Sequence, residues 1–201
     1  MLIQTKQRLT AADIVDNAAF AAMRDAVQTE LRQHKVHRRV EVGPYVSFWF
    51  ESYLTMWWQI QEMLRVEGGG EEQLADELEA YAPLVPNGTN LTATMMIQIP
   101  DPVRRTRVLA TLGGIEEKVS LVIDGEACPG EAEDDLDRTN AAGKASSVHF
   151  FLFQLSEKQR MALKAGPGEV QLRIAHENYN HIAVLSGDQV AALAEDLATS
   201  H

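Results

Sequence analysis

The sequence predicts an α+β fold in which a mixed sheet is packed by helices. Three observations carry that expectation. Apolar residues recur at three- and four-residue steps in some stretches and gather in short β-branched and aromatic runs in others. Glycine and proline separate the two kinds of stretch. In the C-terminal half, residues 94–123 and 148–174 both read strand, helix, glycine turn, strand, with one apolar outline. The recurrence suits an internal duplication or two ordinary crossover units, and crossovers would make parts of the sheet parallel.

Thr10 is suited to cap a helical turn. From Asn17 to Lys35, the residues Phe20, Met23, Val27 and Leu31 mark one helix face. Residues 38–42 read as a strand, Gly43-Pro44 as a turn and residues 45–50 as a second strand, so a hairpin is expected. Ser52 can cap a helix through Glu67, with Tyr53, Met56, Trp57, Ile60 and Leu64 as its apolar stripe. Three glycines end it, and an acidic helix follows over residues 71–81, stopped before Pro83. Residues 92–99 read as a strand. Asp101-Pro102 opens a helix that Gly113-Gly114 closes, and residues 118–123 form another strand. Residues 126–142 read as a loop. A strongly apolar strand spans 147–155, Ser156 caps a helix to Ala165, a strand covers 169–174, and a last helix runs over 188–197. Residues 1–90 are thus helix, hairpin and helix pair, and residues 91–201 the strand–helix–strand units with a C-terminal helix. All belong to a single domain.

The chain has 201 residues, 45% hydrophobic and 23% charged, enough for one sizeable core without covalent staples. Its one cysteine, Cys128, excludes an intrachain disulfide and a cysteine-held zinc or iron–sulfur site made by one chain. No run approaches the roughly 20 apolar residues of a membrane helix. Residues 1–6 lack the apolar core of a secretion signal, so a cytoplasmic location is expected. On that expectation the sequons at Asn87 and Asn90 read as a turn entering a strand. The net charge of −11 is uneven, because residues 1–40 hold seven Lys/Arg against four Asp/Glu. The overall acidity argues against nucleic-acid binding, where phosphate contacts dominate affinity. The basic first quarter suits one anionic ligand or partner.

The segment from His34 to Glu67 concentrates the chemistry. His34, Lys35, His37, Arg38 and Arg39 make a cationic cluster that suits a phosphate or carboxylate, and equally the dipole at a helix end. On the following helix, Gln59, Glu62 and Arg65 stand at three-residue steps and share a face, either as a surface pair or as the wall of a pocket. Trp57 and Trp58 point to different sides of that helix. His149 lies on an apolar strand, where a hydrogen-bonded core histidine is usual. His176 follows a strand. Histidine with carboxylate is ligand chemistry for zinc, iron or manganese, but no His-Glu-x-x-His or Glu-x-x-His pair occurs. Gly143-Lys144-Ala145-Ser146 lacks the spacing of a phosphate loop, and the acidic run 131–137 lacks that of a calcium loop. No nucleophile elbow or dinucleotide fingerprint is present.

The runs "HKVHRRVEVGPYVSFWFESYLTMWWQIQEMLRVE", "LGGIEEKV" and "GKASSVHFFLFQL" resemble a bacterial family known as domain-of-unknown-function family 3501. The family's pattern falls on Lys35, Arg38, Arg39, Gln59, Glu62 and Arg65, and also on Glu51, Thr55, Tyr81, Lys144, His149 and Phe150. His176 and Tyr179 match a His-Pro-x-Tyr pattern in which this chain has Glu177 in place of proline. The resemblance implies no assigned activity. It implies a link to redox or peroxide stress and a partner among iron–sulfur or rubrerythrin-like proteins.

The leading expectation is a cytoplasmic accessory protein that binds a small anion or a protein partner. Its candidate residues are Lys35, Arg38, Arg39, Gln59, Glu62, Arg65 and Lys144. One rival is a metal-binding redox accessory or metal-dependent enzyme, with Glu62, His149 and His176 as ligands. Another is a structural subunit of an oxidoreductase complex, or a homodimer, joined through Trp57 or Trp58. The sequence names no catalytic residue and no cofactor.

Overall fold

The computed structural model describes residues 2–4, 6–132, 145–166 and 168–197. Thr10 caps a single turn, Ala11–Asp13. The first long helix, α1 (Asn17–Lys35), starts at Asp16, whose carboxylate accepts from the main-chain N–H groups of Ala18 and Ala19. Strands β1 (Arg39–Val42) and β2 (Val46–Phe50) form the expected hairpin. Gly43 turns it with φ +71°, and an added Cβ there would stand 2.6 Å from the His181 ring, so both conformation and space demand glycine. Helix α2 (Tyr53–Glu67) is capped by Ser52 and ended by Gly68 in the left-handed region. Helix α3 (Gly70–Tyr81) leads to β3 (Asn90–Ile97). The Asn87 carboxamide oxygen accepts from the Thr89 N–H, so the first sequon is a turn and the second opens β3.

Next come α4 (Pro102–Leu109), β4 (Val119–Ile123), β5 (Glu126–Pro129) and β6 (Glu131–Ala132). After them follow β7 (Val148–Gln154), α5 (Glu157–Ala165), β8 (Val170–His176), β9 (Tyr179–Val184) and α6 (Gly187–Asp196). The stretch read as a loop from residue 126 therefore begins with two strands. The signal for β5 was present. Asp124-Gly125 joins β4 to β5 as a two-residue hairpin turn with both residues at positive φ. Strand β9 was missed as well, and it returns from β8 across the two-residue turn Glu177-Asn178.

The α+β class holds, but the strands form two sheets, and every pairing among the described residues is antiparallel. The first sheet has the order β1-β2-β3-β7-β6 and the second β5-β4-β8-β9. The expected parallel pairing fails for a topological reason. Each strand–helix–strand unit leaves the first sheet and enters the second, so its two strands never pair with each other.

One core lies between the sheets, where Phe48, Met95 and Phe153 meet Leu121, Leu172 and Ile174. A second core lies under α1, α2 and α3, around Phe20, Leu54, Trp57 and Ile60. The first sheet is therefore covered on both faces. No helix among the described residues is long and apolar enough to cross a membrane.

Candidate functional site

The period-two alternation of β2, β3 and β7 sorts their side chains between the two faces. Phe48, Met95 and His149 stand in register on the inter-sheet core side. One residue along, Arg39, Trp49, Thr94 and Phe150 form a row on the opposite face. Ser47, Met96 and Val148 form the next row. Helix α2 passes over this second face, leaving a cleft of about 390 Å³. Trp49, Trp58, Tyr81, Phe150, Met56 and Met96 wall it, Lys35 stands at it, and Glu51, Thr55 and Thr94 bring buried polar groups into it.

Glu51 follows directly after β2. Its N–H donates to the Thr92 carbonyl at 2.9 Å, and its own carbonyl accepts from Arg38 at 3.2 Å. With the main chain fixed at both ends, the carboxylate accepts the Thr94 hydroxyl at 2.6 Å. The roof is anchored just as firmly. Ser52 caps α2 and is hydrogen-bonded to His34 at 2.8 Å. Burial, with the nearby charges of Arg38 and Lys35, pushes the His34 pKa down to about 4. Gln61 holds the segment before α1 by a pair of bonds to the Val15 main chain. Trp57 donates to the Asp13 carbonyl at 2.8 Å and packs edge-on to Phe20.

The cationic cluster splits up. Lys35 lies 5.1 Å over the Trp49 ring and has no carboxylate within ion-pair distance among the described residues. Arg39 lies over the same ring at 5.2 Å and pairs with Glu41 at 2.7 Å. Arg38 is only 1% exposed. Its two terminal nitrogens grip Asp196 of α6 at 2.7 and 2.9 Å and also donate to the Glu51 and Ala192 carbonyls. Arg38 is thus bound to the protein itself and is not open to an outside anion. Glu62 is paired with Arg24 at 2.6 Å and with Arg65 at 2.9 Å. The Arg24 hydrogen bond, helped by that of Arg65, holds its carboxyl below the ordinary range, and neither Glu62 nor Arg65 lines the cleft. Gln59 does line the cleft, and Lys144 lies outside the described residues.

The metal set does not assemble. His149 donates Nε2–H to the Ser146 carbonyl at 3.0 Å on the core side of β7, the face opposite α2 and its Glu62. His176 belongs to the second sheet. Its Nε2–H donates to the Gly113 carbonyl at 3.1 Å, and its Nδ1 accepts from the Asn178 N–H at 3.2 Å, which uses both nitrogens. Among the described residues no three His, Cys, Asp or Glu side chains gather to hold a metal ion. Trp57 is fully buried and cannot be a docking surface, whereas Trp58 walls the cleft with Arg24 stacked 5.5 Å from its ring.

Sequence reasoning missed Trp49, Glu51, Tyr81 and Thr94 as cleft residues. The available signal was the alternation Thr92-Ala93-Thr94-Met95, which puts both threonines on one face of a buried strand, together with Ser47 and Glu51 on either side of the aromatic run Phe48-Trp49-Phe50. A larger groove of about 590 Å³ runs between α5 and α6. Its charged residues, Lys164, Glu169 and Glu195, are solvent-exposed, and among the described residues no buried polar side chain lines it. The smaller cleft is the better site because polar groups converge in it.

No curated protein matches the chain. The crystal structure of a "novel protein of unknown function" from Burkholderia pseudomallei K96243 is similar to it, with 36% identity and a TM-score of 0.87 over 95% of this chain and 100% of that one. The family model described as "Protein of unknown function (DUF3501)" matches residues 8–197, and the chain belongs to that family.

Proposed function

We propose that the protein is a cytoplasmic, non-catalytic accessory that binds a small ligand in the cleft between α2 and the first sheet. An anionic group of the ligand meets Lys35, and its apolar body lies against the aromatic and methionine walls. The observation that carries this reading is Lys35 itself. It stands over Trp49 at the cleft with no carboxylate partner among the described residues, while Arg38, Arg39 and Arg65 each have one. A cation beside an aromatic wall, with hydroxyl and amide groups converging, is the pattern of a small-molecule site. The proposal includes the link to redox or peroxide stress, and the iron–sulfur or rubrerythrin-like partner, that the family resemblance implies.

Isothermal titration with carboxylates, phosphates and nucleotides tests it. At least one anion with an apolar body is expected to bind. Lys35→Met should weaken that binding about tenfold, the scale of one lost charge-assisted contact. Arg65→Ala should leave it within about twofold, since Arg65 is engaged by Glu62. If no anion binds, or if Lys35→Met changes nothing, the reading fails.

A further inference from the structure

We propose that Glu51 selects a ligand bearing a positively charged amino group. The cleft would then take an amino carboxylate, a zwitterion with an apolar body. This rests on the ligand-binding reading above and names the ligand's class.

Glu51 is 7% exposed and lines the cleft. Its main chain is held by Thr92 and Arg38, so the side chain enters the cleft from a rigid strand end. One carboxylate oxygen accepts the Thr94 hydroxyl. The other accepts no protein hydrogen bond, and no cationic nitrogen lies within ion-pair distance, among the described residues. The Arg38 guanidinium is close by, but it bonds the Glu51 carbonyl and spends its charge on Asp196. Glu62 and Asp196 each carry an arginine, and among the described residues Glu51 carries none. The free oxygen therefore faces the cleft and is open to a charge-assisted hydrogen bond from an incoming cation.

Lys35 and Glu51 line one cleft without meeting each other. A ligand with one charge of each sign satisfies both. The walls supply the rest, since Trp58, Tyr81 and Phe150 suit an aromatic or long aliphatic body and favour a cationic group beside their rings. An α-amino acid with such a side chain has all three parts.

The test is calorimetry on the whole chain with matched probes. These are the aromatic and long aliphatic α-amino acids, each with its deaminated acid and its decarboxylated amine. At least one zwitterion should bind tenfold or more tightly than both of its single-charge analogues. Glu51→Gln keeps the shape and the Thr94 contact. It should abolish the preference for the zwitterion over the acid by weakening the zwitterion, while the acid, relieved of a like charge in the cleft, binds no more weakly than before. If an acid binds as tightly as its zwitterion, and Glu51→Gln leaves both unchanged, this inference is overturned and the Lys35 reading stands. If neither acids nor zwitterions bind, both fall. The analogue series uses the unaltered protein, so a variant that folds poorly does not decide the outcome.

Discussion

Arg38 and Arg39 are neighbours in sequence with opposite fates. Arg39 lies on the exposed side of the strand beside Trp49, and Arg38 is buried against Asp196. The bidentate grip on Asp196 ties the entry of β1 to the last helix, 158 residues away. Removing one partner of a buried pair strands the other charge, which costs about 3–5 kcal/mol. Arg38→Met is expected to lose that much in urea unfolding. Arg38→Met combined with Asp196→Leu should recover a good part of it, because no lone charge is left behind. The thiol of Cys128 is also buried, with its pKa pushed up to about 11, first by desolvation and then by Glu131. That side chain is a core group and not a reactive one.

At the scale of elements, α2 is positioned by its cap. Ser52 satisfies the first turn, and His34 at the end of α1 holds Ser52. Two helices and the cleft roof therefore meet at one imidazole. Its pKa of about 4 lies below the ordinary 6.5, so the folded protein resists protonation there while the unfolded chain does not. The unfolded state then binds more protons between those values, and stability falls as pH drops from about 6.5 towards about 4. Urea midpoints measured across that window should decline with acidity, and His34→Gln should flatten the slope. If the variant declines as steeply as the parent, His34 is not the group responsible. Tyr179 plays a similar part at the β1–β2 turn. Its hydroxyl donates to the Val42 carbonyl and accepts from the N–H groups of Tyr45 and Val46, fastening the second sheet to the first hairpin.

Across the whole molecule the repeat is longer than the sequence suggests. Each unit runs strand, helix, strand and hairpin return: β3-α4-β4-β5 and then β7-α5-β8-β9. Equivalent strands pair antiparallel, β3 with β7 and β4 with β8, which is the arrangement a two-fold repeat produces. The hairpins supply all four strands of the second sheet. Helix α6, with Leu197 just after it, closes the assembly through Leu193, Asp196 and Leu197. A chain ending at Leu185 loses these contacts and leaves Arg38 buried without its carboxylate. It is expected to lose the single cooperative transition in calorimetry, whereas trimming residues 2–4 should leave that transition in place.

The sequence by itself determined the helices, most of the strands and the caps at Ser52 and Ser156, because spacing and local hydrogen bonding are chain-local properties. It also drew attention to residues 34–67, which contain Lys35, Glu51 and Gln59 of the cleft. Tertiary structure alone decided that the sheets are two and antiparallel, since strand pairing depends on where each connection crosses. It alone separated the cations, by placing Asp196 against Arg38 and Arg24 against Glu62. It also moved His149 to the far side of the sheet from α2, through the one-residue alternation that leaves Phe150 in the cleft. Lys35 and Glu51 were both visible in the chain. Only the packing of α2 over three strands showed that they share one cleft.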